Sequence, residues 1–193
     1  MNTALLLKSL RSYVEFSEDD FMEFLKLLEP FTLRKNEFFY VAGTIPKYSP
    51  FILKGCVRQY YVTDEGEEKT VMFVEEGTWA GQIGSMRSRT PTNVNLQALE
   101  DCDILGITIE SIDYGLQKFP AYQKYFVTKY PIDHARMIDE AARIKTDTPE
   151  NLYLWLLKEK PSLLNRVPQQ YIASYLGMRP ETLSRIRNKI SQQ

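Results

Sequence analysis

The stretch QQYIASYLGMRPETLSRIRNKI, residues 169–190, decides the fold of the C-terminal part of the chain. It predicts two short amphipathic helices around Gly177, a residue type that tolerates the positive φ of a tight turn. Ile172 and Leu176 are spaced to face inward from the first helix. Pro180 suits the first turn of the second helix, because the N–H that proline lacks would have no partner there. The other positions expected between the two helices are Ala173, Met178, Leu183, Ile186 and Ile190. This pattern predicts a helix-turn-helix.

The outward face of the second predicted helix is polar and carries groups that can bind DNA. Four side chains there can donate to or accept from base edges in a major groove: Glu181, Ser184, Arg185 and Asn188. Arg185 can bind guanine bidentately, and Glu181 can accept from a cytosine amino group. The candidate phosphate contacts around that face are Gln170, Arg179, Thr182, Arg187 and Lys189. The alternative is a structural hairpin whose charged face is solvated.

Charge is distributed unevenly along the chain. The formal net charge of the whole sequence is only −1. From Asn151 onward, however, seven Lys and Arg residues stand against two Glu residues, a net charge of +5. Residues 1–150 carry the remaining −6. This asymmetry predicts a basic module that binds polyanions, attached to an acidic module that does not.

The chain before this motif predicts an α+β fold. Residues 1–30 contain two helical patterns, the second with Ser17 as its N-cap and Pro30 as its end. Between about Phe31 and Ile112, short β-branched or aromatic runs alternate with turn-forming residues. Short, evenly spaced strands of this kind are typical of an antiparallel jelly-roll barrel, which is predicted for residues 31–112.

A long helix is expected at about residues 117–146. Its apolar and aromatic residues form a stripe that can pack against a second helix: Phe119, Tyr122, Phe126, Tyr130, Met137, Ala141 and Ile144. Pro131 is expected to kink or restart this helix. Thr148 and Pro149 then predict the N-cap and first position of a further helix. The predicted domains are therefore 1–146 and 147–193.

The segment RVPQQYIASYLGMRPETLSRIRNKI, residues 166–190, preceded by a barrel and a long helix, resembles the Crp/Fnr superfamily of bacterial transcription regulators. The resemblance implies a cyclic-nucleotide-binding-type jelly roll and a long helix that pairs with its twin in a homodimer. It places Glu181, Thr182 and Arg185 on the recognition helix. The family often has arginine where this chain has Pro180. The implied partners are double-stranded DNA carrying a pseudo-palindromic operator, a second copy of the chain, and RNA polymerase.

The resemblance also identifies a candidate effector pocket within residues 79–93. Nucleotide-binding relatives hold the cyclic phosphate and ribose with a Gly-Glu-Leu-Gly loop followed by Arg-Ser, since a phosphodiester favours a guanidinium and a ribose hydroxyl favours a carboxylate. Here Gln82 replaces the carboxylate and Thr92-Asn93 replaces Arg-Ser. Arg87 and Arg89 lie nearby at a different spacing. The candidate pocket residues are Gly81, Gln82, Ile83, Gly84, Ser85, Arg87, Arg89, Thr92 and Asn93. Neither cyclic AMP nor cyclic GMP is expected to bind. The alternatives are that the pocket binds another small molecule or that the protein has no effector.

The sequence lacks the residues that several other classes of protein need. No apolar run approaches the ~20 residues of a membrane-spanning helix, so we expect a cytoplasmic protein. Cys56 and Cys102 lack the partners of a disulfide framework, a zinc site or an iron–sulfur cluster. A jelly-roll metalloenzyme needs two or three histidines, whereas His134 is the only one and is expected at the surface or in an interface. We therefore predict no catalytic residue, metal or cofactor. The alternative function is a ligand-binding or protein-interaction module whose hairpin binds a protein partner.

Overall fold

The computed structural model describes residues 3–191; the terminal residues of the two predicted domains, Met1, Asn2, Gln192 and Gln193, lie outside the described residues. The chain divides into two compact units. The first unit contains the residues up to Gln59 together with Phe73–Ile132, and the second contains Tyr60–Met72 together with the residues from Asp133 onward. The predicted domain boundary between residues 146 and 147 stays a prediction.

The N-terminal helices are α1 (Ala4–Arg11) and α2 (Glu18–Leu25). Ser17 caps α2 as predicted, because its side chain accepts a hydrogen bond from the backbone N–H of Asp20 at 3.0 Å. Both helices bury their apolar faces in the core of the first unit. That core contains Leu6, Leu10, Phe16, Phe21, Phe24, Phe51, Leu105, Ile107, Ile112, Phe119, Tyr122 and Tyr125.

The strands form two sheets. They are β1 (Leu28–Leu33), β2 (Phe38–Tyr40), β3 (Ser49–Lys54), β4 (Val57–Val62), β5 (Glu68–Val74), β6 (Asn95–Ala98) and β7 (Cys102–Ile107). One sheet has the order β1-β7-β3 and the other the order β2-β6-β4-β5. The pairs β1–β7, β3–β7 and β2–β6 are antiparallel. The predicted α+β class with an antiparallel jelly roll is confirmed.

The jelly roll begins earlier than predicted. Pro30 does not end a helix: α2 ends at Leu25, and Pro30 lies inside β1 opposite Leu105 of β7. β1 is an edge strand of its sheet, the kind of strand in which proline is tolerated.

The jelly roll also ends earlier than predicted. Thr108 accepts a hydrogen bond from the N–H of Ser111 at 3.1 Å and caps α4 (Ile109–Lys118). Residues 109–112 are therefore helical, although the sequence pattern assigned them to the barrel. A further short helix, α3 (Ile83–Ser88), lies within the candidate pocket segment.

The long helix α5 (Pro120–Thr146) begins directly after α4, with Phe119 in an extended conformation between them. A residue before proline is disfavoured in the α-helical region, so Pro120 separates the two helices. The predicted restart at Pro131 is wrong, because α5 continues through this residue. Pro131 removes only the hydrogen bond to the carbonyl of Val127, and at these exposed residues water can replace it.

Four helices follow in the second unit: α6 (Pro149–Glu159), α7 (Leu163–Arg166), α8 (Gln169–Tyr175) and α9 (Pro180–Ser191). Thr148 caps α6 as predicted, with its hydroxyl 3.3 Å from the N–H of Asn151. The buried side chains of these helices are Leu152, Tyr153, Leu156, Leu163, Ile172, Ala173, Tyr175, Leu183 and Ile186. Over residues 3–191, none of the helices combines the length and the apolar character needed to cross a membrane.

Candidate nucleic-acid interface

The turn between α8 and α9 is built around Gly177, which has a φ of +68°. Two hydrogen bonds close the end of α8. The N–H of Gly177 donates to the carbonyl of Ser174 at 3.2 Å, and the N–H of Met178 donates to the carbonyl of Ala173 at 2.9 Å. This pair of bonds is the Schellman arrangement, in which a left-handed residue ends one helix and redirects the chain. The predicted pivot is confirmed.

Replacing Gly177 by Ala is expected to destabilise the protein by about 1–2 kcal/mol, since a side chain disfavours the left-handed region. A Cβ at this position would meet only Ile144, at 3.6 Å, so the cost comes from the backbone and not from a clash. Urea unfolding measures the effect.

A matched control is Gly84→Ala, because Gly84 lies in α3 and a Cβ there would meet nothing within 4 Å. This substitution is expected to stabilise the protein by up to about 1 kcal/mol, the difference in helix propensity. Equal effects of the two substitutions would contradict the account of the turn.

The two faces of α9 differ in burial, as the sequence pattern predicts. Leu183 and Ile186 are buried, whereas Met178 and Ile190 are only half-buried. All four candidate base-reading side chains are exposed: Glu181, Ser184, Arg185 and Asn188. Positions three and four residues apart lie on the same side of a helix, so these four share one face opposite the buried pair.

The five candidate phosphate contacts surround this face. Gln170, Arg179 and Lys189 are exposed, and Thr182 and Arg187 are half-buried. Arg179 lies at the start of α9, where its carbonyl accepts from the N–H of Leu183 at 3.2 Å. Lys189 Nζ lies 3.9 Å from Glu150 Oε1, a surface pair that contributes little to stability.

A polar cluster that the sequence did not indicate joins α5, the end of α6 and α8 within the second unit. Glu140 Oε2 accepts from the Tyr175 hydroxyl at 2.7 Å and from Lys160 Nζ at 2.8 Å. Lys160 Nζ also lies 3.2 Å from the Tyr175 oxygen. Burial, and then the charge of Glu140, raise the pKa of Tyr175 above its usual range. These residues are 15 to 35 positions apart, so no local motif could have indicated the cluster.

A second polar network occupies the interior of the jelly roll. Gln59 Nε2 donates to the Tyr40 hydroxyl at 2.8 Å and to the carbonyl of Ala80 at 3.0 Å. Tyr40 donates to the same carbonyl at 3.1 Å, and Gln82 Nε2 lies 3.5 Å from Gln59 Oε1. Burial raises the pKa of Tyr40, which keeps its hydroxyl neutral. The side chains of this network are therefore all uncharged, including that of Gln82 from the candidate pocket.

The two arginines of the candidate pocket pair with carboxylates of α4. Arg87 donates to both carboxylate oxygens of Asp113, at 2.7 and 3.3 Å, and this pairing raises the pKa of Arg87. Arg89 donates to Glu110 at 2.7 Å. Both guanidinium groups are thus already neutralised by exposed acidic partners on the same unit.

The remaining pocket residues differ in environment. Gly81 packs against Ser49 so closely that a Cβ on it would lie 1.9 Å from the Ser49 hydroxyl oxygen. Ile83 and Ser85 are half-buried, and Gly84 and Asn93 are exposed. Thr92 is buried. Of the nine predicted positions, Gln82 is the one that the structure brings to the interior network of Tyr40 and Gln59.

The two cysteines considered for thiol chemistry are neighbours in the fold. Cys56 and Cys102 are both buried, and the Cys102 thiol donates to the carbonyl of Cys56 at 3.7 Å. His134 is exposed on α5. Within the part of the chain that the structure describes, no group of three or more His, Cys, Asp or Glu side chains could hold a metal ion.

Comparison with known proteins places this architecture. Residues 30–118 match the sequence family described as the cyclic nucleotide-binding domain. No protein of curated function matches the chain in sequence. Similarity to solved structures extends over nearly the whole chain, at low sequence identity.

Three of these structures are of bacterial regulators. The c-di-GMP-responsive global regulator CLP of Xanthomonas campestris has a TM-score of 0.72 at 16% identity, covering 91% of this chain and 92% of its own. FixK2 of Bradyrhizobium japonicum has a TM-score of 0.70 at 19% identity, covering 86% and 85%. A CooA mutant from Carboxydothermus hydrogenoformans has a TM-score of 0.69 at 23% identity, covering 97% and 84%. The resemblance predicted from the sequence is confirmed: residues 30–118 match the cyclic nucleotide-binding domain family, and the chain shares the fold of solved structures of Crp/Fnr regulators.

Proposed function

We propose that this protein is a sequence-specific DNA-binding transcriptional regulator of the Crp/Fnr type. The observation that carries the proposal is the polar face of α9, where four exposed side chains lie opposite the buried Leu183 and Ile186. α8 and α9 would act as a helix-turn-helix, with α9 in the major groove. Arg185 and Glu181 would then reach base edges.

The charge of the second unit supports this assignment. The net charge of +5 from residue 151 onward supplies an attraction to phosphates that does not depend on sequence. Arg179 at the N-terminus of α9 and Lys189 near its C-terminus are exposed at the two ends of the reading face. They would position α9 on the duplex without specifying the bases.

Salt dependence tests the proposal against the alternative of a hairpin that binds a protein partner. Binding of the full chain to duplex DNA, followed by fluorescence anisotropy, should weaken steeply as salt rises, because each neutralised phosphate releases counterions. Absence of binding to DNA at every salt concentration would contradict the regulator and leave the protein-interaction module as the better assignment.

We infer that the protein binds DNA as a homodimer through α5. Five large apolar side chains on this helix are about half exposed or more, and four of them share one side: Val127 at 62%, Tyr130 at 57%, Met137 at 47% and Ile138 at 55%. Their successive spacings of three, seven and one residues place them within about 100° of the helix circumference, because each residue turns the helix by about 100°. The predicted stripe is thus divided: Phe119 and Tyr122 are buried in the core, whereas Tyr130 and Met137 remain exposed.

A second copy of the chain is the occupant that this exposed stripe fits. Pairing two α5 helices would remove the apolar side chains from water and would give each dimer two reading helices. Such helices enter successive major grooves about 34 Å apart on a pseudo-palindromic site. A regulator of this type would also contact RNA polymerase. It would act in the cytoplasm.

Cyclic AMP and cyclic GMP are expected not to bind. The guanidinium groups of Arg87 and Arg89 are held by Asp113 and Glu110, and Gln82 contributes a neutral amide where a ribose hydroxyl would favour a carboxylate. Calorimetry of the full chain with each nucleotide, with dilution of the same nucleotide into buffer as the control, should show no binding heat. Micromolar affinity for either nucleotide would contradict this expectation.

A further inference from the structure

The outer edge of β5 is covered by a side chain of α8 within the second unit. β5 is the last strand in the order β2-β6-β4-β5, so one of its edges has no neighbouring strand. Glu68 and Thr70 are two residues apart and direct their backbone groups to the same side of the strand. The hydroxyl of Ser174 donates to the carbonyl of Glu68 at 3.1 Å and accepts from the N–H of Thr70 at 3.0 Å. One side chain therefore satisfies two backbone groups that an edge strand otherwise exposes.

The contact between α8 and β5 contains one buried hydroxyl group without a hydrogen-bonding partner in the described part of the chain. Thr70 is buried, and its hydroxyl oxygen has no hydrogen-bonding partner among residues 3–191. A buried hydroxyl without a partner costs free energy, because it gives up its bonds to water. The hydrogen bonds of Ser174 therefore stabilise the contact between α8 and β5, and the unpaired hydroxyl of Thr70 destabilises it.

Two consecutive residues hold α8 from two directions. Ser174 bonds to the β5 edge, and Tyr175 donates to Glu140 on α5 at 2.7 Å. α8 also packs against α9, where Ala173 and Leu183 are buried. Any displacement of α8 would consequently change the placement of α9 relative to α5.

We propose that Ser174 is a positioning residue for DNA recognition, which fixes α8 on the hairpin Tyr60–Met72 so that α9 is presented in a fixed orientation to DNA. This inference rests on the proposed function.

The test compares Ser174→Ala with the conservative Ser174→Thr in the full chain. The alanine variant loses both hydrogen bonds, and each such bond corresponds to roughly a five-fold factor. Hydrogen exchange in a peptide that contains Thr70 should then become roughly 30-fold faster. Affinity for an operator obtained by selection from random duplex DNA should fall by roughly five- to 30-fold. Affinity for unrelated duplex DNA should stay unchanged, because the basic side chains remain in place.

Ser174→Thr keeps the hydroxyl and is expected to restore both slow exchange and operator affinity. Thr70→Val is expected to act in the opposite direction to Ser174→Ala, since it removes the unpaired hydroxyl at nearly constant volume, and should slow the exchange of the hairpin. Thr146→Ala is the matched control, because the Thr146 hydroxyl bonds within α5, to the carbonyl of Ala142 at 3.0 Å.

The outcomes separate this inference from the proposed function. A native chain that binds no DNA at any salt concentration would overturn the regulator and the positioning role together. A native chain that binds its operator while Ser174→Ala binds it equally well would overturn the positioning role alone. Higher operator affinity in Ser174→Ala would also overturn it, because the hairpin would then restrain α9 instead of positioning it.

Discussion

Replacing Ile138 by Glu is expected to convert the protein from a dimer to a monomer and to lower its affinity for an operator by roughly 100-fold or more. The substitution places a carboxylate in the middle of the apolar stripe of α5, where Ile138 is 55% exposed in the single chain. A charge that dimerisation would bury without a partner costs about 3–5 kcal/mol. Two such charges would meet in one dimer, and separate monomers each present only one reading helix to the operator.

Ile132→Glu is the matched control for this prediction. Ile132 lies on the same helix, is 50% exposed, and lies six residues before Ile138, which places it on a different side of α5. Sedimentation gives the oligomeric state of both variants, and fluorescence anisotropy gives their operator affinity. A dimeric Ile138→Glu variant, or equal disruption by Ile132→Glu, would contradict the assignment of the stripe.

Replacing Arg185 by Ala is expected to cost about 1–3 kcal/mol in operator affinity and to relax the preference at one base pair. Arg185 lies at the centre of the exposed face of α9, opposite Leu183 and Ile186. A guanidinium at this position can donate two hydrogen bonds to one guanine, and alanine can donate none. Selection of operators by the variant and by the native chain compares the base preferences directly.

Arg187→Ala is the comparison for a phosphate contact. Arg187 is half-buried at the border of the same face, so its loss should weaken binding to all sequences by a similar factor. It should also reduce the slope of affinity against salt by about 1. A uniform loss for Arg185→Ala, without a change in base preference, would reassign Arg185 to phosphate contact.

Local chemistry made much of the fold predictable from the sequence. Ser17 and Thr148 cap helices because their hydroxyls accept from the N–H three residues later, an arrangement that depends only on neighbouring residues. Gly177 ends α8 because a left-handed residue completes the Schellman bonds. The alternation of short strands and turns in the sequence likewise predicted the jelly roll.

Tertiary context overrode the local pattern at the limits of the barrel. Pro30 has the local character of a helix end, but pairing with β7 places it in an edge strand. Pro131 has the local character of a helix break, yet α5 continues because only one hydrogen bond is lost at an exposed position. The sequence around Pro30 does not reveal its partner strand β7. Pro131 lies outside the barrel, and its surroundings are exposed to water.

The candidate sites show the same distinction. The polar face of α9 follows from helical periodicity, so the exposure of Arg185 and Glu181 could be predicted. The pairing of Arg87 with Asp113 spans 26 residues, and the bond from Ser174 to Glu68 spans 106. Contacts over such separations depend on the packing of whole elements, which no local spacing specifies.

Selection from random duplex DNA with the purified full chain, at near-physiological salt, tests the central claim most directly. A dimer with two reading helices should enrich an inverted repeat whose half-sites lie one helical turn apart, about 10 base pairs. Arg185→Ala should alter one position in each half-site of that repeat. Failure of the native chain to bind or enrich any sequence would contradict the account, and α8 and α9 would then be a structural hairpin.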